Sequence, residues 1–452
     1  MKSYKIQFNP DDLRADSNPA GKAIFDTLTD FMKQLTLSST FLVLSTSAAF
    51  AHGIFRVGQD AQSMGIAGIN IVAADTPTNA MTGNPAGLAS QDGAVQGTVV
   101  ITGYSGEFSN AANTNSPLRN PVTPYGSAAA TYRLEDNPDI TLGMSLAPDA
   151  LARGYWRFND SGATNYGYTD HDSRLITYRL AFGAGWQATE DFSVGATAGV
   201  TYNDNYLKAP YTFQNAGALT GAKVLLDLET DGFGPSFSLG ANYDVTEWAS
   251  IGFRYMSPTW LYTDGSATGF NPGTGAFSYD AKVDQQLPQR IGIAFAVEPA
   301  DWLSLFFQAD WVDYAGAYDT LNIELTNGSN PGGPLPAAFN ETSPLSWESV
   351  WVFAVGAEVD ITDDLVWSVG YTYGESPVPD STLTPMTAAI TEQTITTGLS
   401  YRWDSIEVAI AYQYDIPNTQ TTNSSILLSG EYQNSSTKLE GHTGAVSLTW
   451  YY

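Results

Sequence analysis

The chain has 452 residues, with 47 Asp and Glu against 19 Lys and Arg, and its formal net charge of -28 excludes a nucleic-acid binder, because a phosphate backbone demands a basic face. It contains no cysteine, which excludes a disulfide framework, a thiolate metal site and a cysteine nucleophile. Charged residues make up only 15% and aromatics 13%, a mixture that suits alternating polar and apolar residues better than a large apolar core or apolar helices.

In chain order, residues 1–31 look unlike an export signal, with Asp11, Asp12 and Asp26 among them, and read as an extra N-terminal extension from a start codon placed too far upstream. Residues 32–51 follow with Met32-Lys33-Gln34, an apolar stretch from Leu35 to Ser47, and Ala48-Ala49-Phe50-Ala51. A basic start, an apolar middle and a small-residue exit form a signal peptide, with cleavage expected after Ala51. The apolar part is too short for a spanning helix, which needs roughly 20 apolar residues. The mature chain would begin at His52 in an exported protein.

Residues 52–93 do not alternate. Small residues dominate Ile54-Phe55-Arg56-Val57-Gly58, Met64-Gly65-Ile66-Ala67-Gly68 and Gly83-Asn84-Pro85-Ala86-Gly87-Leu88, which predicts compact turns and short helices. From residue 94 onward, apolar side chains recur at every second position. Phe192, Val194, Ala196, Ala198, Val200 and Tyr202 interleave with Ser193, Gly195, Thr197, Gly199, Thr201 and Asn203. Successive strand side chains point to opposite faces, so one set meets lipid while the other meets a wet lumen. The same division separates Ile291, Ile293, Phe295 and Val297 from Arg290, Gly292 and Ala294.

Fourteen strands are predicted, at 95–108, 125–135, 139–148, 173–188, 191–207, 230–244, 248–263, 286–298, 301–325, 347–360, 364–374, 392–403, 405–416 and 438–452. Short connections such as Thr189-Glu190, Thr246-Glu247 and Thr362-Asp363 alternate with long ones at about 109–124, 149–172, 208–229, 264–285, 326–346, 375–391 and 417–437. Short periplasmic turns and long outer loops mark an outer-membrane barrel. A soluble β-sandwich would also alternate, but it accounts for neither the export signal nor the loop asymmetry. The predicted class is therefore all-β: a 14-stranded antiparallel transmembrane β-barrel over 94–452, with residues 52–93 folded into its lumen as a hatch, since such a ring encloses more than its own side chains. Val446, Leu448, Trp450 and Tyr452 share one face of the last strand, a pattern similar to the signal read by barrel-assembly machinery.

The run Gly53-Ile54-Phe55 through Asn84-Pro85-Ala86-Gly87-Leu88, Leu287-Pro288 before a strand, and Ser376-Pro377-Val378-Pro379 after one together resemble the FadL/OmpP1/TodX family of outer-membrane hydrophobic-compound transporters. The resemblance implies a barrel closed by the hatch, capture in an outer apolar groove, transfer to an inner pocket, and lateral exit where the third strand kinks. Long-chain fatty acids lead as cargo, with aromatic or alkane hydrocarbons as the alternative; a general porin is a rival that would lack the hatch. Outer-membrane lipid, lipopolysaccharide and the assembly machinery are the other expected partners of a monomer, and no cofactor, metal or catalytic residue is expected. A hydrolase built on His171 or His442 is a weaker rival, because no serine or carboxylate arrangement singles either out.

Candidate contacts follow. Tyr155, Trp156, Phe158, Tyr166, Tyr211 and Phe213 are candidates for the outer groove, or else loop packing and girdle. Phe55, with Asn84, Pro85 and Ala86 of the hatch, would meet ligand. Arg179, Arg254 and Arg290 point inward by parity, as a carboxylate partner or as a lumen charge network anchoring the hatch. Gly143 permits a bend, and Pro148, which lacks a ladder donor, interrupts pairing at the lateral opening or simply ends its strand.

Overall fold

The computed structural model describes residues 53–119, 122–162, 164–329 and 335–452. The extension, the signal peptide and His52 lie outside them. The strands begin with β1 (Ala94–Asn110), β2 (Asn113–Pro117), β3 (Val122–Arg133), β4 (Ile140–Asn159), β5 (Tyr168–Thr189), β6 (Phe192–Thr212) and β7 (Lys223–Thr246). Next come β8 (Ala249–Met256), β9 (Thr259–Asn271), β10 (Gly275–Lys282), β11 (Gln285–Leu287), β12 (Arg290–Ala300), β13 (Leu303–Val312) and β14 (Thr320–Thr326). The last six are β15 (Phe339–Pro344), β16 (Val350–Thr362), β17 (Leu365–Gly374), β18 (Gln393–Trp403), β19 (Ile406–Thr422) and β20 (Ser435–Tyr451).

Fourteen of these form a closed antiparallel barrel: β1, β3 to β8, β12, β13 and β16 to β20. The ring closes where β1 pairs with β20 from Ala94↔Tyr451 to Ser109↔Ser436. The alternation is the cause. Val99, Phe182, Val200, Phe237, Phe295, Phe353, Ile410 and Leu448 face outward and exposed, while Thr98, Thr197, Thr201, Thr396, Ser447 and Thr449 are buried inside. Trp186, Trp248, Trp302, Trp403 and Trp450 ring the short-turn end, and Tyr202, Phe233, Tyr262 and Trp351 the long-loop end, matching the aromatic girdles of an outer-membrane barrel.

The predicted loops need correction, because much of their length is strand. β4 runs to Asn159 and β5 begins at Tyr168, and β9, β10, β14 and β15 extend the ladders beyond the girdle. Above the lipid, backbone hydrogen bonding continues without the lipid-facing pattern that marks a strand in sequence. Two predicted strands are interrupted. The one at 248–263 breaks at Ser257-Pro258, and the one at 301–325 holds a one-turn helix, α3 (Tyr314–Ala317), capped by Asp313, whose side chain accepts from Gly316 N.

Residues 53–93 carry two earlier helices, α1 (Ala61–Gly65) and α2 (Pro77–Thr82), and a 3-10 turn at Pro85–Ser90. Each start is written locally: Asp60, Thr76 and Asn84 are extended N-caps, and Pro77 and Pro85 occupy first helical positions. Backbone amides of the segment donate to wall side chains along its length, among them Ala61 N to Ser447 Oγ (2.8 Å), Ala67 N to Thr396 Oγ1 (2.9 Å) and Thr78 N to Gln96 Oε1 (3.1 Å).

Candidate functional site

Two cavities lie on opposite sides of residues 54 and 55. The outer one, about 230 Å³, is walled chiefly by Leu175, Leu207, Tyr211, Tyr318, Trp347, Leu427 and Tyr432, with Ile54 at its base. The inner one, about 70 Å³, is bounded by Phe55, Arg56, Arg254, Arg290, Gln308 and Asp310. Phe55 forms a single antiparallel bridge with Ala150 of β4, and consecutive extended residues point oppositely, so Ile54 serves one cavity and its neighbour the other.

The six aromatic candidates for the outer groove do not form one wall. Tyr211 lines the outer cavity. Trp156 and Phe158 are fully buried in the apolar cluster that includes Trp347 and Tyr432 of the cavity wall, and Phe213 belongs to a second cluster inside the extended outer sheet. Tyr155 donates to Asp170 (3.1 Å), and Tyr166 to the Lys223 carbonyl (3.0 Å). In the outer sheet Glu341 accepts from the Tyr211 hydroxyl (3.0 Å), Gln214 N (2.7 Å) and Asn215 N (3.2 Å), and burial still pushes its carboxyl above the usual range.

The three arginines have different surroundings. Arg254 donates to Asn70 Oδ1 (2.8 Å) and pairs with Asp310, while Gln308 Oε1 accepts from Asn70 N (3.0 Å), so this network ties the N-terminal segment to the wall. Arg179 donates to Ser236 Oγ (2.8 Å) and Thr197 Oγ1 (3.0 Å). Arg290 donates to Met256 Sδ (2.9 Å), and its guanidinium lies 4.1 Å from the Phe55 ring centroid. Among the described residues Arg290 has no carboxylate in ion-pair range, and its Nε is buried without a hydrogen-bond partner.

Asn84, Pro85 and Ala86 line neither cavity. Asn84 Nδ2 donates to the Ile71 carbonyl (2.9 Å) and Asn242 Oδ1 (2.7 Å), and its Oδ1 accepts from Ala86 N (3.1 Å).

The wall is discontinuous beside this segment. β3 pairs with β4 only from Arg133↔Thr141 to Ala128↔Leu146, whereas it stays paired with β1 up to Gly103↔Val122. β4 also carries a bulge against β5 between Pro148 and Leu151. Thr177 repairs the backbone there, accepting from Ala150 N (2.7 Å) and donating to Ala150 O (3.0 Å). Gly143, where a bend was expected, is regularly paired on both sides. Its missing side chain makes room for Met81 and Leu88, which a Cβ would overlap. Gln59 spans the gap, with Nε2 donating to the Pro148 carbonyl (3.0 Å) and its own carbonyl accepting from Ser127 Oγ (3.0 Å).

Above the outer cavity lies a buried charge cluster. The ligand atoms of Asp160, His171 and Glu431 lie within 4.8 Å of one another, a spacing that suits a metal. Lys223 enters the same space, however, donating to Asp160 and the Ser161 carbonyl (2.7 Å) and standing 3.6 Å from Glu431, so an ammonium already supplies the positive charge. His171, once a candidate base, is stacked on Phe158 at 3.6 Å and bonded to Glu431 (3.0 Å). His442 bonds the Tyr412 hydroxyl (2.7 Å) on the outer surface.

Sequence reading missed Tyr314, Tyr318, Trp347 and Gln59. A usable signal was present in Asp313-Tyr314-Ala315-Gly316-Ala317-Tyr318, a cap followed by aromatics one helical turn apart inside an otherwise alternating run.

Residues 42–452 match the family model described as outer membrane protein transport protein (OMPP1/FadL/TodX). No curated protein sequence matches. A Pseudomonas aeruginosa FadL homologue superposes with a TM-score of 0.71 at 16% identity, covering 88% of this chain and 99% of that one. The Ralstonia pickettii toluene transporter TbuX gives 0.70 at 17%, with the same coverages of 88% and 99%. The P. putida toluene transporter TodX gives 0.69 at 16%, again with 88% and 99% coverage.

Proposed function

The chain belongs to the OMPP1/FadL/TodX family of outer-membrane transporters of hydrophobic compounds, and on that premise we propose that its cargo is a compact apolar molecule of single-ring size. The observation that carries the proposal is the outer cavity, apolar and about 230 Å³. A cavity near 150 Å³ suffices for benzene, so this one admits a substituted ring. Two of the superposed structures are toluene transporters, in agreement with this size. Burial rewards such a ligand by about 25 cal/mol per Å² of apolar surface.

Residues 52–93 act as the hatch in this reading. Cargo rests on Ile54, passes Phe55 into the inner cavity when the segment shifts, and leaves sideways between β3 and β4, where Gln59 bridges the unpaired edges. Long-chain fatty acids are the second reading, favoured by one observation. Arg290 faces the inner cavity without a carboxylate partner among the described residues, and a ligand carboxylate would supply one.

The test uses the Phe55 and Ala150 pair. A disulfide between Phe55→Cys and Ala150→Cys should abolish toluene uptake into proteoliposomes while leaving toluene binding intact, and reduction should restore uptake. Undiminished uptake through the oxidised protein would refute hatch gating. Mass spectrometry of molecules retained on purification, compared with a variant lacking 52–93, separates ring hydrocarbons from fatty acids.

A further inference from the structure

We propose that Tyr314 is the positioning residue that couples occupancy of the outer cavity to release of the N-terminal segment; the inference rests on the transport reading above. Its ring is fully buried directly behind the cavity wall. Ring centroids lie 5.5 Å away for Trp347 and 6.4 Å for Tyr318, and both of those residues line the outer cavity. On the other side the Phe55 ring stands 6.1 Å away, on the inner cavity. One side chain therefore touches both compartments through their aromatic walls.

Its hydroxyl makes the connection to the moving part, accepting a hydrogen bond from Ile54 N at 3.0 Å. The preceding residue is fitted to this contact. Gly53 has φ +82, a left-handed conformation, and a Cβ there would collide with the Tyr314 hydroxyl. The latch itself is anchored. Asp313 caps α3 through Gly316 N (3.1 Å) and is held by Gln289 Nε2 (2.8 Å) and Ser349 Oγ (3.0 Å). Next to it, the Tyr318 hydroxyl is buried with no hydrogen-bond partner among the described residues, so the closed arrangement carries a polar group that a small displacement of the wall would relieve.

A ligand pressing on Tyr318 and Trp347 displaces Tyr314, and Ile54 N loses its acceptor. Freed at residue 54, the chain lifts as far as Gln59, whose hydrogen bonds to Ser127 and Pro148 close the lateral gap. The outer cavity and the wall opening thus communicate through six consecutive residues.

Because the chain has no cysteine, Ile54→Cys supplies a unique thiol reporter in the full-length protein, labelled by a membrane-impermeant maleimide. Adding Tyr314→Phe keeps the ring and removes the acceptor; without ligand, labelling should rise about fivefold, the ratio given by one hydrogen bond of about 1 kcal/mol. Saturating toluene should accelerate labelling when Tyr314 is present and have little further effect in the Tyr314→Phe protein. Gly53→Ala, which forces the same two groups apart, should match Tyr314→Phe, and heat-modifiable gel migration verifies an intact barrel in each. Unchanged ligand-free labelling in Tyr314→Phe would overturn the latch, and a full toluene response in that variant would overturn the coupling. A latch released by Tyr314→Phe in a protein that neither binds nor passes toluene or oleate would instead count against the transport reading.

Discussion

Replacing Lys223 by Met should detach the loop at residues 423–434 from the barrel. That loop covers the outer cavity through Leu427, Ser429 and Tyr432, and its buried attachment is Glu431. The side chains of Glu431 and Asp160 are wholly buried and that of Lys223 is 6% exposed. Among the described residues Glu431 Oε2 has no hydrogen-bond partner, so Lys223 at 3.6 Å is its compensating charge. Removing one member of a buried pair leaves an uncompensated carboxylate and typically costs about 3–5 kcal/mol. The loop is also held by His171 Nε2 on Glu431 Oε1 (3.0 Å), Asn110 Nδ2 on the Glu431 carbonyl (3.0 Å), Leu428 N on Gln214 Oε1 (2.8 Å) and Ile426 N on the Ser381 carbonyl (2.9 Å), but none of these faces Glu431 Oε2, so the cost falls on the loop and not on the ring. At 1.4 kcal/mol per factor of ten this predicts a roughly 10²- to 4 × 10³-fold rise in the open population. Hydrogen exchange of peptides from 423–434 reads that population directly. Adding Asp160→Asn and Glu431→Gln should restore protection. Protection in Lys223→Met within threefold of the parent at neutral pH would refute the reasoning.

Three further outcomes are expected. Thr177→Val strips two partners from Ala150 at the bulge and should cost about 2–4 kcal/mol, read as a lower urea midpoint. Arg290→Met should abolish binding of oleate while sparing toluene if the inner cavity receives carboxylates; equal loss of both would tie Arg290 to packing on Phe55 alone. Asp75 keeps a water-facing surface inside the barrel, yet burial by the surrounding wall, then Glu407 and Asp60, push its carboxyl up to about 6. A folded-state pKa raised above the unfolded value of about 3.9 contributes stability that is complete below pH 4 and lost as pH rises through 6. Exchange protection of residues 61–82 should therefore be greater at pH 4.5 than at pH 7.5, and Asp75→Asn should remove the difference; a persisting difference would assign it elsewhere.

The barrel was legible because lipid enforces a rule that local sequence must obey, outward apolar and inward polar at every second residue. Phe192 to Tyr202 follows it without exception. Where lipid ends, legibility ends. Along β4 the inward residues are Thr141, Ser145 and Ala147 before the bulge, but Ala152, Gly154, Trp156 and Phe158 after it. One irregularity exchanges odd for even positions, so reading parity from residue 140 assigns the outer half to the wrong face. The cap residues Asp60, Thr76 and Asn84 were available to local reasoning. The inward parity of Arg254 and Arg290 was also readable, whereas their partners were not, since Asp310, Asn70 and Phe55 reach them from distant parts of the chain. Tyr314 escaped notice for the same reason: its significance lies in an amide 260 residues away.

The single glutamine across the unpaired edges of β3 and β4 bears on energy supply. Two hydrogen bonds of about 1 kcal/mol each hold that seam, a closed-to-open ratio of roughly 30. On the proposed route, a seam with so shallow a bolt would open on thermal agitation alone, several per cent of the time, and passage would then draw on a higher concentration of solute outside than in, with neither ATP nor an ion gradient.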